Sequence, residues 1–225
     1  MKKQLITTLT TASLAFFSAT STAEVTGNAG VSSNYLWRGI TQTNGGAQVF
    51  GGVDYSHESG FYAGTWVSNV DFGEGSSTSY ELDLYGGFAG NAGDLGYDLG
   101  YIYYAYPDSN ASSDFGELYG ALSWNWLEGK VSYLSNAQSD ATTAEDMLYL
   151  EINATFEVFE ETELSLHLGN SVGDTVTEWY GESDSYLDYG ISVAKGGFTL
   201  GLSKTDLDAD NGPIFYAGYA VDFTF

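Results

Sequence analysis

The chain contains no cysteine, which excludes a disulfide framework, a thiol nucleophile and a thiolate metal site. Proline is nearly absent, with 2 in 225 residues, and only 2 histidines are available for acid–base or metal chemistry. Basic residues are also scarce: 6 Lys and Arg face 30 Asp and Glu, for a formal charge of -24. A charge of that sign repels phosphate and removes nucleic acid as a partner. Beyond residue 24, no uncharged apolar run approaches the length of about 20 residues that a spanning helix needs. Strong acidity can signal disorder, but disordered chains are poor in aromatics and this one is 16% Phe, Trp and Tyr. What is abundant is glycine (29) and tyrosine (18), a composition suited to many strands with small and aromatic side chains. The length favours a single domain.

The amino terminus reads as a secretory signal. Lys2 and Lys3 supply a positive start, Leu5 to Phe17 forms an uncharged, largely apolar stretch, and Ser21-Thr22-Ala23 offers small residues before Glu24. Cleavage after Ala23 leaves one domain, 24–225, outside the cytoplasm. Hydropathy alone would call that domain soluble. Transmembrane strands, however, need only about 9–11 residues and show only alternation.

Alternation runs from end to end. Leu148, Leu150, Ile152, Ala154, Phe156 and Val158 share one parity, opposed by Tyr149, Glu151, Asn153, Thr155 and Glu157. Leu118, Gly120, Leu122, Trp124 and Trp126 likewise oppose Glu117, Tyr119, Ala121, Ser123 and Asn125. Turn signals divide the chain into about twelve strands, the first expected over 25–38. Tight turns such as His57-Glu58-Ser59-Gly60 and Lys195-Gly196-Gly197 alternate with longer polar connections at 39–46, 72–78, 107–114, 138–145, 173–183 and 207–213. This is the pattern of an all-β, up-and-down antiparallel outer-membrane barrel with short periplasmic turns and longer extracellular loops. Ten or fourteen strands also fit the turns. The last strand carries Phe215, Ala217, Tyr219, Val221, Phe223 and Phe225 on one parity; in water that stripe would be an exposed edge, and in a closed barrel it meets lipid. A soluble sandwich or lipocalin-like barrel leaves this stripe unexplained.

Four stretches carry a family likeness. Ser32-Ser33-Asn34-Tyr35-Leu36-Trp37-Arg38-Gly39-Ile40-Thr41-Gln42-Thr43 resembles the opening of the TorF family of porins. Gly60 to Val70 with Glu81 to Gly87, and Gly96 to Pro107, continue the likeness, which is strongest over 31–107. The resemblance implies a small outer-membrane barrel; it implies no substrate and brings no catalytic motif.

If the apolar parity faces lipid, the other faces the lumen, because charge on the lipid face is costly. Asp54, Glu81, Asp83, Asp98, Glu117, Glu151, Glu157 and Asp188 then point inward among Tyr85, Tyr119, Tyr149, Tyr186, Asn34, Asn125, Asn153 and Ser192. Arg38 and Lys130 are the basic residues of that parity. Arg38 reads either as a rim counter-charge to those carboxylates or as a mouth residue on lipid headgroups. Trp124 and Trp126, and at the other end Tyr103, Tyr104 and Tyr106, suit interfacial girdles.

The expected function is passive diffusion of small polar or cationic solutes through an acidic, cation-preferring lumen. The competing expectation is a non-conducting structural or loop-binding barrel, which large inward tyrosines meeting across the axis would favour. Membrane lipids and lipopolysaccharide are the expected surroundings and a monomer the default state. No cofactor is expected, and no enzyme: Ser165 and His167 share a parity but lack an elbow motif. Asp206 to Gly212 departs from a calcium loop, its glycine one position late and the final Glu missing. The loop with Trp179 and Tyr180 can either dock a ligand or fold inward.

Overall fold

The computed structural model describes residues 23–144, 146–181, 183–207 and 212–225. The expected signal segment therefore lies outside the described residues except for Ala23. So do 208–211 of the acidic loop.

Twelve strands close into one barrel: β1 (Glu24–Ser32), β4 (Gln48–Ser56), β5 (Phe61–Asn69), β6 (Tyr80–Ala92), β7 (Leu95–Ala105), β8 (Phe115–Trp124), β9 (Leu127–Ala137), β10 (Leu148–Phe159), β11 (Thr162–Val172), β12 (Ser185–Lys195), β13 (Phe198–Thr205) and β14 (Ile214–Thr224). Each pairs antiparallel with its sequence neighbour, and β1 with β14 closes the ring, Val31 opposite Tyr219. A short hairpin, β2 (Leu36–Trp37) with β3 (Ile40–Thr41), stands apart from the wall, and one helix, α1 (Asp174–Tyr180), sits in the loop after β11. The strand count and the alternation of short and long connections agree with the sequence expectation.

The pleat sorts the side chains as the parity predicts. Leu99, Leu118, Ile152, Leu168 and Val193 point outward and are exposed, as does the Phe215 to Phe225 stripe. The neighbours of these residues point inward and many are buried: Leu118 is 54% exposed and Glu117 1%. So large an outward apolar surface belongs in lipid. Trp124 and Trp126 lie on it at a short turn, with Trp126 stacked on Phe156 at 5.1 Å.

Glycines let the inward tyrosines lie flat along the wall. A Cβ at Gly100 would overlap the Tyr119 hydroxyl and stand 2.8 Å from that of Tyr62. The ladder is interrupted beside Glu117, where the register shifts and Ser135 is the extra residue of a bulge on β9. Its hydroxyl donates to the Gly116 carbonyl at 3.1 Å. Bulges of this kind re-aim neighbouring side chains.

Three expectations need correction. The first strand ends at Ser32 rather than Arg38, because the connection turns into the barrel. Tyr104 and Tyr106 are buried inside the barrel rather than set in a girdle; Tyr103 alone of that trio faces outward, its hydroxyl donating to Asp114 at 3.0 Å. Asn34 and Asn125 are not on the wall: Asn34 lies in the inward-turned connection and Asn125 is a left-handed turn residue at φ 55°.

Candidate functional site

The site is built on the β2–β3 hairpin. Trp37-Arg38-Gly39-Ile40 makes a two-residue turn with positive φ at both central positions, 49° at Arg38 and 79° at Gly39. Asn-Gly is the pair usually found in such a turn, so an arginine in the first position is there for its side chain. Gly39 is required by space as well as by φ. A Cβ there would stand 2.7 Å from Thr205 Cγ2 and 2.8 Å from Asp188 Cβ.

Arg38 reaches across the lumen to β8. Its Nη2 donates to both Glu117 oxygens, at 2.7 and 2.8 Å, and both side chains are almost wholly buried. The guanidinium lies 4.2 Å from the ring centroids of Trp37 and of Tyr149. The Tyr186 hydroxyl donates to the Arg38 carbonyl at 3.1 Å. Of the two readings of Arg38, the counter-charge is therefore the one realised. Nη1 points instead at Met147 Sδ, 3.6 Å away, so one nitrogen serves both oxygens and the two rings complete the surroundings that offset the loss of water.

The predicted carboxylates divide into two levels. Near the long-loop end, Glu81 accepts from the Tyr35 and Tyr106 hydroxyls at 2.6 and 2.7 Å. Asp83 lies within electrostatic reach of Glu81 and Glu117, and its Oδ1 is buried without a hydrogen-bond partner among the described residues. Asp188 accepts from Tyr149 at 3.2 Å and pairs with His167 Nε2 at 2.7 Å. Nearer the short-turn end, Asp98 accepts from Tyr62 at 2.7 Å, and Asp54, half-buried, accepts from Tyr85 at 2.5 Å. Glu151 lies between the levels, 3.6 Å from Lys130 Nζ. Glu157 keeps the inward parity but is exposed at the short-turn end of β10. The hydroxyls of Tyr62 and Tyr119 meet inside the barrel.

Above the hairpin, the loops fold inward. Trp179 of α1 packs on Trp37 at 5.9 Å and Phe115 at 5.4 Å, and its Nε1 donates to the Ala141 carbonyl at 2.6 Å. Gly173 gives the helix no side-chain cap; Asp146, from the neighbouring loop, accepts instead from the Asp174 and Thr175 amides at 3.0 Å each. Glu178 accepts from Thr142 at 2.5 Å and from the Thr143 hydroxyl at 2.6 Å. The Thr142 and Thr143 hydrogen bonds favour the ionised carboxyl and hold it below its usual value of 4.5. A depressed folded-state value stabilises the docked loop above 4.5 and loses that contribution as pH falls through the lower, folded value. Trp179 fluorescence is therefore expected to stay constant down to pH 4.5 and to change below it. In Thr143→Ala, the change should begin at higher pH.

Ser165 and His167, which share a parity on β11, have separate partners. Ser165 Oγ pairs with Thr155 Oγ1 at 3.1 Å, while His167 turns to Asp188 and, at 2.7 Å, Asn153. Among the described residues no group of three or more His, Asp or Glu is placed to hold a metal ion. Within the acidic loop, Asp206 accepts from the Leu187 amide at 2.7 Å.

Fold and lumen define a transmembrane β-barrel of the porin type. Residues 17–224 match the model of Gcw_chp, described as a bacterial protein of unknown function, and the chain belongs to that family. The TorF likeness has no separate counterpart among these matches. No curated protein matches. Among solved structures, the KdgM porin in complex with disordered oligogalacturonate is similar at TM-score 0.55 and 8% identity, covering 90% of this chain and 99% of that one. The NanC porin is similar at 0.55 and 11%, covering 89% and 100%. The COG4313 outer membrane channel from Pseudomonas putida F1 follows at 0.51 and 10%, covering 92% and 97%. At such identities the likeness is one of fold.

Proposed function

We propose that this protein is a bacterial outer-membrane channel for small solutes with a preference for cations, shut at rest by its own hairpin. It would be exported with removal of residues 1–23, leaving one domain, 24–225, among lipid and lipopolysaccharide. The observation that carries the reading is the charge inside the wall. Asp54, Glu81, Asp83, Asp98, Glu117, Glu151 and Asp188 face inward against Arg38 and Lys130. Fixed carboxylates in a low-dielectric tube concentrate cations and repel anions. The barrel fold shared with KdgM, NanC and the COG4313 channel supports the same class, as does the TorF-like stretch.

One observation favours the second reading, a non-conducting barrel. Trp37 and Tyr149 flank Arg38 inside the barrel, and the hairpin that carries Arg38 occupies that section of the lumen, whereas Tyr62 and Tyr119 meet flat along the wall over Gly100. A planar-bilayer recording of the refolded mature chain under a salt gradient separates the two. We expect rare openings in the wild type, frequent ones in Arg38→Ala, and a cation-selective reversal potential that Asp98→Asn and Glu151→Gln weaken. Folded barrels that conduct in neither form would establish the structural reading instead.

A further inference from the structure

We infer that the Glu117 pocket is a recognition site for a guanidinium-bearing solute, and that Arg38 occupies it as an internal stand-in. The argument begins with what holds Arg38. Nη2 alone reaches both Glu117 oxygens, while the plane of the guanidinium lies against Trp37 and Tyr149; it is the flat stacking between rings that suits a guanidinium better than a compact ammonium. Of its two flanking rings, Trp37 belongs to the hairpin and leaves with it, whereas Tyr149 and Glu117 belong to the wall and stay.

The second observation is independent of Arg38. Asp83 is 2% exposed, its Oδ1 has no hydrogen-bond partner among the described residues, and Glu81 and Glu117 bear on it electrostatically. Glu81 is already satisfied by two tyrosines and Glu117 by Arg38, so Asp83 Oδ1 remains an acceptor without a donor among the described residues. A buried acceptor in that condition is uncommon, and beside two further carboxylates a cationic donor from outside the described residues suits it. A solute guanidinium carries five N–H donors; with Arg38 displaced, it can engage Glu117 and Asp83 together.

The turn itself makes Arg38 displaceable. Its left-handed backbone is unfavourable for a residue with a side chain and persists only while the buried contacts compensate. A solute that takes those contacts removes the compensation, and the hairpin is freed from the lumen. Entry of the solute and opening of its path are then one event. The identity of the solute rests on the channel reading; the pocket does not.

The test is calorimetric titration of the refolded mature barrel with agmatine, against sodium chloride of equal ionic strength. Removing the internal competitor raises the competent fraction, so Arg38→Ala should bind agmatine at least tenfold more tightly than the wild type. Adding Asp83→Asn should undo at least tenfold of that gain, and Arg38→Ala with Glu117→Gln should abolish saturable binding. If Arg38→Ala refolds poorly, Arg38→Gln takes its place, with heat-modified gel migration reporting the folded barrel. Saturable binding absent from a folded Arg38 variant overturns the site, even if that variant conducts. Binding without conductance overturns the channel reading and leaves the site standing.

Discussion

Replacing Glu117 with leucine is expected to cost the folded barrel about 3–5 kcal/mol, because it leaves the Arg38 guanidinium buried without its counter-ion. The companion variant Arg38→Met with Glu117→Leu should recover most of that loss. It removes both charges and leaves apolar groups among Trp37, Tyr104, Phe115 and Leu134, which already form a packed cluster there. The difference between single and double variants is the quantity of interest, and urea unfolding in lipid vesicles measures it. If the double variant is as unstable as the single one, the pair has no specific coupling. The hairpin would then be held by its tyrosines and Trp37 alone.

The next residue gives the second large effect, for the opposite reason. Leu118 points outward where Glu117 points inward, and Leu118→Arg places a charge against hydrocarbon. The expected penalty is about 2–4 kcal/mol at mid-depth. Phe159, 75% exposed and at the short-turn end of β10, is the control. Arginine there should cost about 0–1 kcal/mol, because the side chain reaches the interface. Equal penalties at the two sites in the same unfolding assay would contradict the placement of the lipid band.

Much of this architecture could be read from alternation, because a wall with lipid on one face and polar groups on the other permits only one parity. Glu81, Asp83, Asp98, Glu117, Glu151 and Asp188 were therefore identifiable as inward residues before any coordinates. Tyr104 was too. It shares the parity of Asp98, and the girdle reading followed its residue type instead. The hairpin was harder to see. The apolar run Tyr35-Leu36-Trp37 fits a strand whether it extends a wall or folds inside it, and pattern alone does not say what lies on either side. The available signals were the polar break Ser32-Ser33-Asn34 and an Arg-Gly turn between Trp37 and Ile40. Asn34 then hydrogen-bonds with Thr41 and Thr43 at 2.7 and 3.1 Å, closing the neck of the hairpin. The stretch that carried the TorF likeness, 32–43, thus contains the hairpin. Helix α1 left no trace in periodicity, since seven residues are too few and its cap, Asp146, comes from another loop.

The hairpin is tethered between β1 and β4, and β1 is also the strand that meets β14. That placement makes assembly an ordered process. The seam joins the most distant parts of the sequence, so its pairing carries the largest loop-closure entropy and is expected to come late. Until it forms, the hairpin's route inward lies open along the side. Once it has formed, the only way in is past the crowded loops at the mouth. A barrel that zips shut early traps its stopper outside, so refolding should show two populations, with the fraction correctly filled set by which step is faster.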